Sequence, residues 1–153
     1  MTQDEATIRA VDLADEFGRT AKLLGARLAS RLSGHELSMP RAHLLVALLR
    51  HGPQRISQLG EHVGISQGTA STLAEALVRD GLAERQADPR DGRATQLALT
   101  GTGTERARVW LADYEAAADD VFAAIPAGQR PTLLAALRIL SAACGVPKRG
   151  IGS

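Results

Sequence analysis

Asp88-Pro89-Arg90-Asp91-Gly92-Arg93 separates two segments, residues 82–86 and 95–99, whose side chains alternate like those of half-buried β-strands. A turn-rich link of this length between two strands predicts a β-hairpin with a charged tip. Asp88 and Asp91 can pair with the two arginines of the link and hold the shape of the tip, a modest effect at an exposed site. The hairpin then presents two arginines at the end of a narrow protrusion.

The arginines of this tip, Arg90 and Arg93, suit a negatively charged groove. The DNA minor groove attracts guanidinium groups through its negative potential, and a narrow hairpin can place an arginine inside it. The alternative interpretation is a solvated loop whose charges pair with one another, and the hairpin alone does not exclude it.

The segment before the hairpin has the pattern of a helix-turn-helix. Residues 56–63 predict a short helix opened by Ser57, Gly64 can adopt a left-handed turn, and Ser66 can cap a second helix that ends at Gly81. The apolar face predicted for this second helix consists of Ala70, Leu73, Leu77 and Val78.

The other face of the second helix carries short, mostly uncharged polar side chains. Such side chains let the N-terminus of a helix approach the floor of a DNA major groove, where they meet base edges and phosphates. A plain solvated face is the alternative interpretation. The candidate DNA-binding residues of this segment are Ser66, Gln67, Gly68, Thr69, Ser71, Thr72 and Arg79.

The order of these two features favours DNA binding more than either feature does alone. A helix-turn-helix followed within a few residues by a charged hairpin is the order of elements in a winged helix, which grips adjacent grooves of one duplex. Apolar residues at steps of three and four also predict long amphipathic helices before and after this module, over residues 8–32 and from Thr100 to Ile125. A shorter helix from Ser38 to His51 and a last helix through Leu133 and Cys144 complete a mainly α fold with a small β-hairpin.

Length and composition set limits on the class of protein. The chain has 153 residues and an apolar fraction of 44%, with no run near the about 18 apolar residues of a membrane span, so we expect one soluble, cytoplasmic domain. Its single cysteine, Cys144, excludes an internal disulfide and a cysteine-rich zinc site. A net charge of +1 does not by itself indicate a nucleic-acid partner.

With these motifs in view, the chain resembles the MarR family of winged-helix transcription regulators. The most specific match is the charged tip of the hairpin, and the resemblance covers roughly residues 8–144. The other matching stretches are Leu59-Gly60-Glu61, Ile65-Ser66-Gln67-Gly68-Thr69-Ala70-Ser71, Gly81-Leu82-Ala83-Glu84-Arg85, Leu99-Thr100 and Gly103.

The resemblance implies a single MarR-like domain over residues 1–153. It places dimerisation helices at 8–36 and 101–144, a winged-helix DNA-binding lobe at 37–100 and a frayed tail at 145–153. It also implies a ligand-responsive repressor that binds a pseudo-palindromic operator as a homodimer. The sequence itself favours a partner chain, because a small winged helix cannot bury apolar stripes at both ends.

One position departs from the family pattern. Thr72 stands where many relatives carry an arginine, so that the second helix of the motif has no positive charge before Arg79. Attraction to DNA phosphates must then come from Arg79 and the two wing arginines, with Arg41 and Arg55 as further candidates.

The family senses its effectors in several ways, and the sequence argues against two of them. The first helix lacks the reactive cysteine of peroxide sensors, and Cys144 lies on an apolar face, where a small buried hydrophobic role is the simpler interpretation. The four histidines show no local cluster, so we expect no metal site and no cofactor. The alternative left open is that His35, His43 and a carboxylate converge in space. The resemblance leaves a small aromatic or phenolic effector between the dimer helices and the DNA-binding lobe. Candidate contacts, each of which can equally be an ordinary core or surface residue, are Phe17, His35, Arg41, His43, Trp110 and Tyr114.

Two other classes of protein remain as alternatives. An enzyme is not expected, because no serine or histidine lies in a nucleophile-elbow, phosphate-loop or metalloprotease pattern. A winged helix can also serve only as a protein-interaction module without an operator of its own. The exposed arginines predicted at the tip of the wing favour DNA over that alternative.

Overall fold

The structure, a computed structural model, describes residues 7–145. Within this range the chain forms six α-helices and one antiparallel pair of strands, in an order that matches the mainly α fold predicted from the sequence. The elements are α1 (Ala10–Arg31), α2 (Met39–His51), α3 (Ile56–Val63), α4 (Gln67–Arg79), β1 (Ala83–Asp88), β2 (Asp91–Leu99), α5 (Gly101–Phe122), a 3₁₀ turn (Ala127–Gln129) and α6 (Arg130–Cys144).

The helix-turn-helix consists of α3 and α4, and its caps follow the sequence closely. Gly64 ends α3 in the left-handed conformation with φ 77°, and Gly81 takes φ 72° just beyond α4. Ser66 Oγ accepts a hydrogen bond from the backbone N–H of Thr69 at 3.2 Å, so it caps α4 as predicted. The bounds predicted for α3 are confirmed, but its N-cap is Arg55, and Ser57, predicted to open it, lies inside the helix.

The apolar face of α4 differs in part from the prediction. Ala70 and Leu77 are buried as expected, whereas Leu73 and Val78 are only partly buried. Ala74, which the sequence pattern did not single out, is completely buried. A small side chain at this position lets α4 pack closely on the rest of the lobe.

The hairpin forms the wing, and its strands are longer than predicted. Pairing runs from Ala83 opposite Leu99 to Asp88 opposite Asp91, with a register shift at Ala87 and Asp88, so the turn is only Pro89 and Arg90. The other edge of β2 also has a partner. Gln54, in the link between α2 and α3, exchanges two backbone hydrogen bonds with Leu97, at 3.0 and 2.8 Å.

The helix α5 is joined to the lobe at its first turn. Thr100 caps it, as predicted, by accepting the N–H of Gly103 at 3.0 Å, and its hydroxyl donates to the carbonyl of Gly81 at 2.7 Å. Gly103 lies directly against the backbone of Leu82. These contacts fix α5 relative to the end of α4 and the beginning of β1.

The core of the described residues has two parts. A smaller cluster of Leu32, Ala42, Val46 and Trp110 joins the end of α1 to α2 and α5. The larger cluster fills the winged-helix lobe and consists of Leu44, Leu45, Ala47, Leu48, Leu59, Ala74, Leu77, Leu82, Ala83, Leu97 and Ala107.

The terminal helices keep much of their apolar surface exposed in the single chain. Of the stripe predicted along the first helix, only Leu28 and Leu32 are buried, and α6 has no buried residue. Cys144 is exposed, contrary to the buried role expected for it. Apart from Gly145, the predicted frayed tail lies outside the described residues. None of the helices between residues 7 and 145 is both long enough and apolar enough to span a membrane.

Candidate nucleic-acid interface and effector cleft

The N-terminal part of α4 presents a polar, uncharged surface, but its side chains are not equally available. Ser66 and Thr69 are hydrogen-bonded to each other through their hydroxyls at 2.9 Å, and the hydroxyl of Thr72 donates to the carbonyl of Gly68 at 3.2 Å. Gln67 is exposed, and its side chain has no hydrogen-bond partner among the described residues. Gln67 is therefore the residue of this surface whose donors and acceptors are most open to a ligand.

The remaining predicted residues of α4 differ in their exposure to solvent. Gly68 and Thr72 are exposed, Ser71 is partly buried, and Arg79 is exposed at the last turn of the helix. Gly68 leaves open space where a Cβ would stand. Because no side chain projects at this position, the backbone of a nucleic acid can approach the helix closely.

The wing aspartates bind different partners from those the sequence suggested. Asp88 Oδ1 accepts the backbone N–H of Arg90 at 2.9 Å, and Asp91 Oδ1 accepts the backbone N–H of Arg93 at 3.1 Å. The guanidinium that pairs with Asp88 belongs to Arg55, whose Nε and Nη2 lie 2.7 Å from Oδ2. Within residues 7–145, the guanidinium groups of Arg90 and Arg93 form no ion pair, so both positive charges face solvent.

The electrostatics of Asp88 follow from these contacts. The backbone N–H of Arg90 and the guanidinium of Arg55 hold the pKa of Asp88 below its usual value. The carboxylate is 4% exposed. A buried acidic group thus stays ionised in the wing because an amide and a guanidinium replace its water.

The other arginines proposed for phosphate contact are partly neutralised. Arg41, at the start of α2, pairs with Asp80 just after α4, and Arg55 pairs with Asp88. Three of the candidate arginines have no carboxylate partner among the described residues. They are Arg79, Arg90 and Arg93.

A cleft of about 220 Å³ lies between α2, α3 and α5. Trp110 and Tyr114 stack with ring centroids 4.9 Å apart, and His43 meets both rings edge-on at 5.5 and 5.8 Å. The residues that line it are His43, Val46, Ala47, Arg50, His51, His62, Val63, Trp110 and Tyr114.

The polar groups of this cleft are cationic or hydrogen-bond donors. Arg50 supplies a positive charge, and no carboxylate is among the described lining residues. Burial, together with the charge of Arg50, lowers the pKa of His43. The indole Nε1 of Trp110 is buried and has no acceptor in the described part of the chain. Such an orphaned donor is unusual in a folded protein.

The structure brings together half of the effector residues predicted from the sequence. His43, Trp110 and Tyr114 line the cleft, but three others lie elsewhere. Phe17 is half exposed on α1. His35 pairs with Asp113 through Nε2 at 2.7 Å, and Arg41 is bound to Asp80.

The sequence analysis missed Arg50, His51 and His62 as members of the cleft. His51 and His62 stack face to face with centroids 4.0 Å apart, although they belong to different helices. The histidines form no cluster along the chain, but the fold brings these two into contact. Their arrangement is not that of a metal site, since no group of three candidate ligands is suitably placed within residues 7–145.

Comparison with known proteins agrees with this geometry. The model of the MarR family matches residues 37–95, which run from the link before α2 into β2. Over these residues the chain is similar to the MarR family. Its fold is that of a MarR-family transcription regulator.

Two transcription regulators are similar to part of the chain. The HTH-type transcriptional regulator YkoM of Bacillus subtilis is 28% identical over 102 residues, which are 67% of this chain and 66% of YkoM. The HTH-type transcriptional repressor IacR of Pseudomonas putida is 30% identical over 70 residues, 46% of this chain and 42% of IacR. The chain thus aligns with just under two thirds of the first relative and less than half of the second.

A solved structure supports the fold over nearly the whole length. BpsR of Bordetella bronchiseptica, whose DNA binding is regulated by 6-hydroxynicotinic acid, superposes with a TM-score of 0.77 and 19% identity. The match covers 92% of this chain and 98% of BpsR.

Proposed function

We propose that this chain is a transcription repressor that binds a pseudo-palindromic DNA operator as a homodimer and is released from it by a small planar anion. The observation that carries the proposal is the pairing of an exposed, uncharged helix N-terminus with a wing whose two arginines keep their charges unpaired. The role as a repressor is supported by the similarity to IacR.

The DNA-binding part of the proposal assigns different roles to the helix and to the wing. In α4, Gln67 reads a base edge in the major groove, and its neighbours Ser66, Gly68, Thr69, Ser71 and Thr72 contact the groove wall or the sugar-phosphate backbone. Arg79 contacts a phosphate. Arg93 enters the minor groove and Arg90 binds the adjacent phosphate.

The homodimer is supported by the apolar surface that the single chain leaves exposed. Large apolar side chains on both terminal helices are open to solvent, and patches of this kind mark association surfaces. They are Val11, Leu13, Phe17 and Leu23 on α1, and Leu134, Ile139 and Leu140 on α6. A two-fold dimer presents two copies of α4, so its operator has half-sites about one helical turn apart.

The effector is assigned to the cleft between α2, α3 and α5. A volume of about 220 Å³ suits a single ring, the stacked Trp110 and Tyr114 offer an aromatic wall, and Arg50 balances one negative charge. The similarity of fold to BpsR, which responds to a planar aromatic acid, agrees with this class of ligand.

Binding to DNA from upstream of the gene that encodes the chain tests the main proposal. Fluorescence anisotropy and footprinting should show selective binding of two chains per site and two protected half-sites. Equal binding to unrelated duplexes, or no binding, would favour the protein-interaction module instead. The affinity should fall as salt is raised, because the arginines displace counterions from phosphates.

The effector is tested through Trp110, the single tryptophan of the chain. Titration with benzoate, 4-hydroxybenzoate and benzyl alcohol should change the emission of Trp110. The two acids should bind more tightly than the neutral alcohol, because only they carry a negative charge. Arg50→Gln should weaken the two acids and leave the alcohol unchanged. If the acids and the alcohol bind equally, or if none changes the emission, the cleft does not hold a planar anion.

A further inference from the structure

The wing contains an acidic side chain whose burial the DNA-binding role does not explain. Asp88 is the one buried charged residue within the described range 7–145, and it lies at the turn of the wing, where DNA phosphates are expected. A carboxylate there repels DNA. We propose that Asp88 and Arg55 are a positioning pair that sets the wing against the helix-turn-helix, an inference that rests on the proposed DNA binding.

The geometry connects three parts of the lobe through one carboxylate. Asp88 Oδ1 accepts the N–H of Arg90 at 2.9 Å and so fixes the turn, while Oδ2 accepts Nε of Arg55 at 2.7 Å. Arg55 is the N-cap of α3, so the contact links the turn of the wing directly to the first helix of the motif. A charge-assisted hydrogen bond of this kind is stronger and more directional than a neutral one.

The outer half of the wing has little else to hold it. Along β1 only Ala83 and Asp88 are buried, and along β2 burial is confined to Leu97 and Ala98 at the inner end. A polar cleft of about 610 Å³ separates the wing from the start of α3. Apolar packing therefore secures the root of the wing, and the ion pair across the cleft secures its outer end.

The partner residue is itself placed by the backbone. Gln54, immediately before Arg55, forms an isolated backbone bridge with Leu97 of β2, which fixes the link between α2 and α3 beside the wing. Arg55 follows this bridge directly and reaches Asp88, 33 residues further along the chain. Arg90, held through its N–H, is thereby placed relative to α3 and α4.

Asp88→Asn gives a test in which positioning and simple charge predict opposite results. The substitution keeps the shape and an acceptor for the N–H of Arg90, and it removes one negative charge. Electrostatics alone predicts tighter operator binding, whereas loss of positioning predicts binding weaker by about tenfold. Glu84→Gln is the matched control, because Glu84 is exposed on β1 and has no hydrogen-bond partner among the described residues. It should bind as tightly as the wild type or more tightly.

Footprinting of the same variant separates positioning from loss of structure. With Asp88→Asn, minor-groove protection beside each half-site should be lost while major-groove protection by α4 persists at higher protein concentration. A variant that merely unfolds loses both together. Arg55→Lys keeps both charges but not the two-nitrogen contact, and it should reproduce the loss of minor-groove protection even if Asp88→Asn proves too unstable to measure.

A double variant decides whether Arg55 acts through Asp88 or touches DNA itself. If it acts through Asp88, Arg55→Gln combined with Asp88→Asn binds no more weakly than the worse single variant. If Arg55 contacts a phosphate, the two losses add. Additive losses, or an Asp88→Asn protein that binds the operator as well as the wild type does, would overturn the proposal. Failure of the proposed function is distinguishable, because the wild-type protein would then show no selective binding.

Discussion

Gly103 lies one turn into α5, with its Cα against the backbone of Leu82. A Cβ added there would stand 1.7 Å from the carbonyl oxygen of Leu82, which is backbone and cannot swing aside. We expect Gly103→Ala to lower the free energy of unfolding by about 3 kcal/mol, the upper part of the range for overpacking. Thermal unfolding followed by circular dichroism measures the loss.

Gly101→Ala is the control for this substitution. Gly101 begins the same helix, and a Cβ there meets nothing within 4 Å. Its melting temperature should equal that of the wild type or exceed it slightly, because alanine restricts the unfolded chain. A Gly103→Ala protein as stable as Gly101→Ala would show that α5 and β1 can separate freely.

His43 makes stability depend on pH in a defined direction. Burial and Arg50 lower its pKa, so the unfolded chain takes up a proton near pH 6.5 while the folded chain resists it. The unfolded state then binds more protons, and stability falls as the pH drops below about 6.5 towards the folded pKa. Between about pH 7 and pH 5.5, the melting temperature of the His43→Gln variant should fall less than that of the wild type. Equal losses in the two proteins would contradict this.

Single residues were predictable where their partners are near in the chain. Ser66 and Thr100 each accept the backbone N–H of the residue three positions later, and the left-handed turn at Gly64 needs no distant partner. The local sequence was therefore enough to predict these three roles. The partner of Asp88 is 33 residues away, and no local pattern identifies Arg55 among eighteen basic residues. Ion pairs between residues distant in the chain could therefore be identified only from the fold.

At the scale of elements, α4 should determine which bases are preferred. Gln67→Ala should change the preferred base at one operator position, at a cost of about 1–3 kcal/mol for a good contact. Thr72→Val should change the preference less, because the Thr72 hydroxyl already donates to Gly68. Binding to a library of single-base operator variants measures both effects. An unchanged base preference in Gln67→Ala would exclude Gln67 as the reader.

The wing should contribute affinity more than base preference. Arg93→Ala is expected to weaken binding to many sequences together and to flatten the dependence of affinity on salt, with preferences shifting only at flanking A·T-rich steps. Arg93→Lys should restore little, because an ammonium is costly to desolvate in a narrow groove. An intact dimer whose affinity and salt dependence survive Arg93→Ala would make the wing a solvated loop.

Helices were predicted more accurately than strands, for a physical reason. Capping and turn residues marked α2 and α3 nearly to their ends, because Ser38, Gly52 and Gly64 act on the backbone beside them. The outer wing buries no apolar face, so alternation stops at Gln86 while backbone pairing continues to Asp88. The bridge at Gln54 involves a single residue and leaves no sequence pattern at all.

At the scale of the whole molecule, the proposed dimer depends on the exposed apolar faces of α1 and α6. Leu140 is 44% exposed in the single chain, so a charge there should leave the lobe folded. Leu140→Glu is expected to raise the dissociation constant of the dimer at least about a hundredfold, since an unpaired buried carboxylate costs several kcal/mol. Sedimentation should show the wild type near twice 16.1 kDa and the variant near that mass.

Arg138→Glu is the control on the same helix. Arg138 lies off the apolar stripe that contains Leu140, so the same new charge should leave the dimer intact. A wild-type chain that sediments as a monomer would contradict the dimer directly.

The packing of the whole chain also explains why only half of the residues predicted to contact an effector line the cleft. The walls of the cleft come from three helices, and the sequence does not specify how these helices pack.

The backbone pairing of Gln54 with Leu97 has a consequence for how the chain tolerates change. Amide hydrogen bonds do not depend on side chains, so position 54 should accept most residues, at the cost of the two hydrogen bonds that Gln54 Nε2 donates to the carbonyls of His51 and Pro53. Proline is the exception, because it lacks the N–H that Leu97 accepts. Insertion of one residue between Gln54 and Arg55 is different, because it would separate Arg55 from the bridge that places it opposite Asp88. The link should therefore vary freely in composition while its length stays constant.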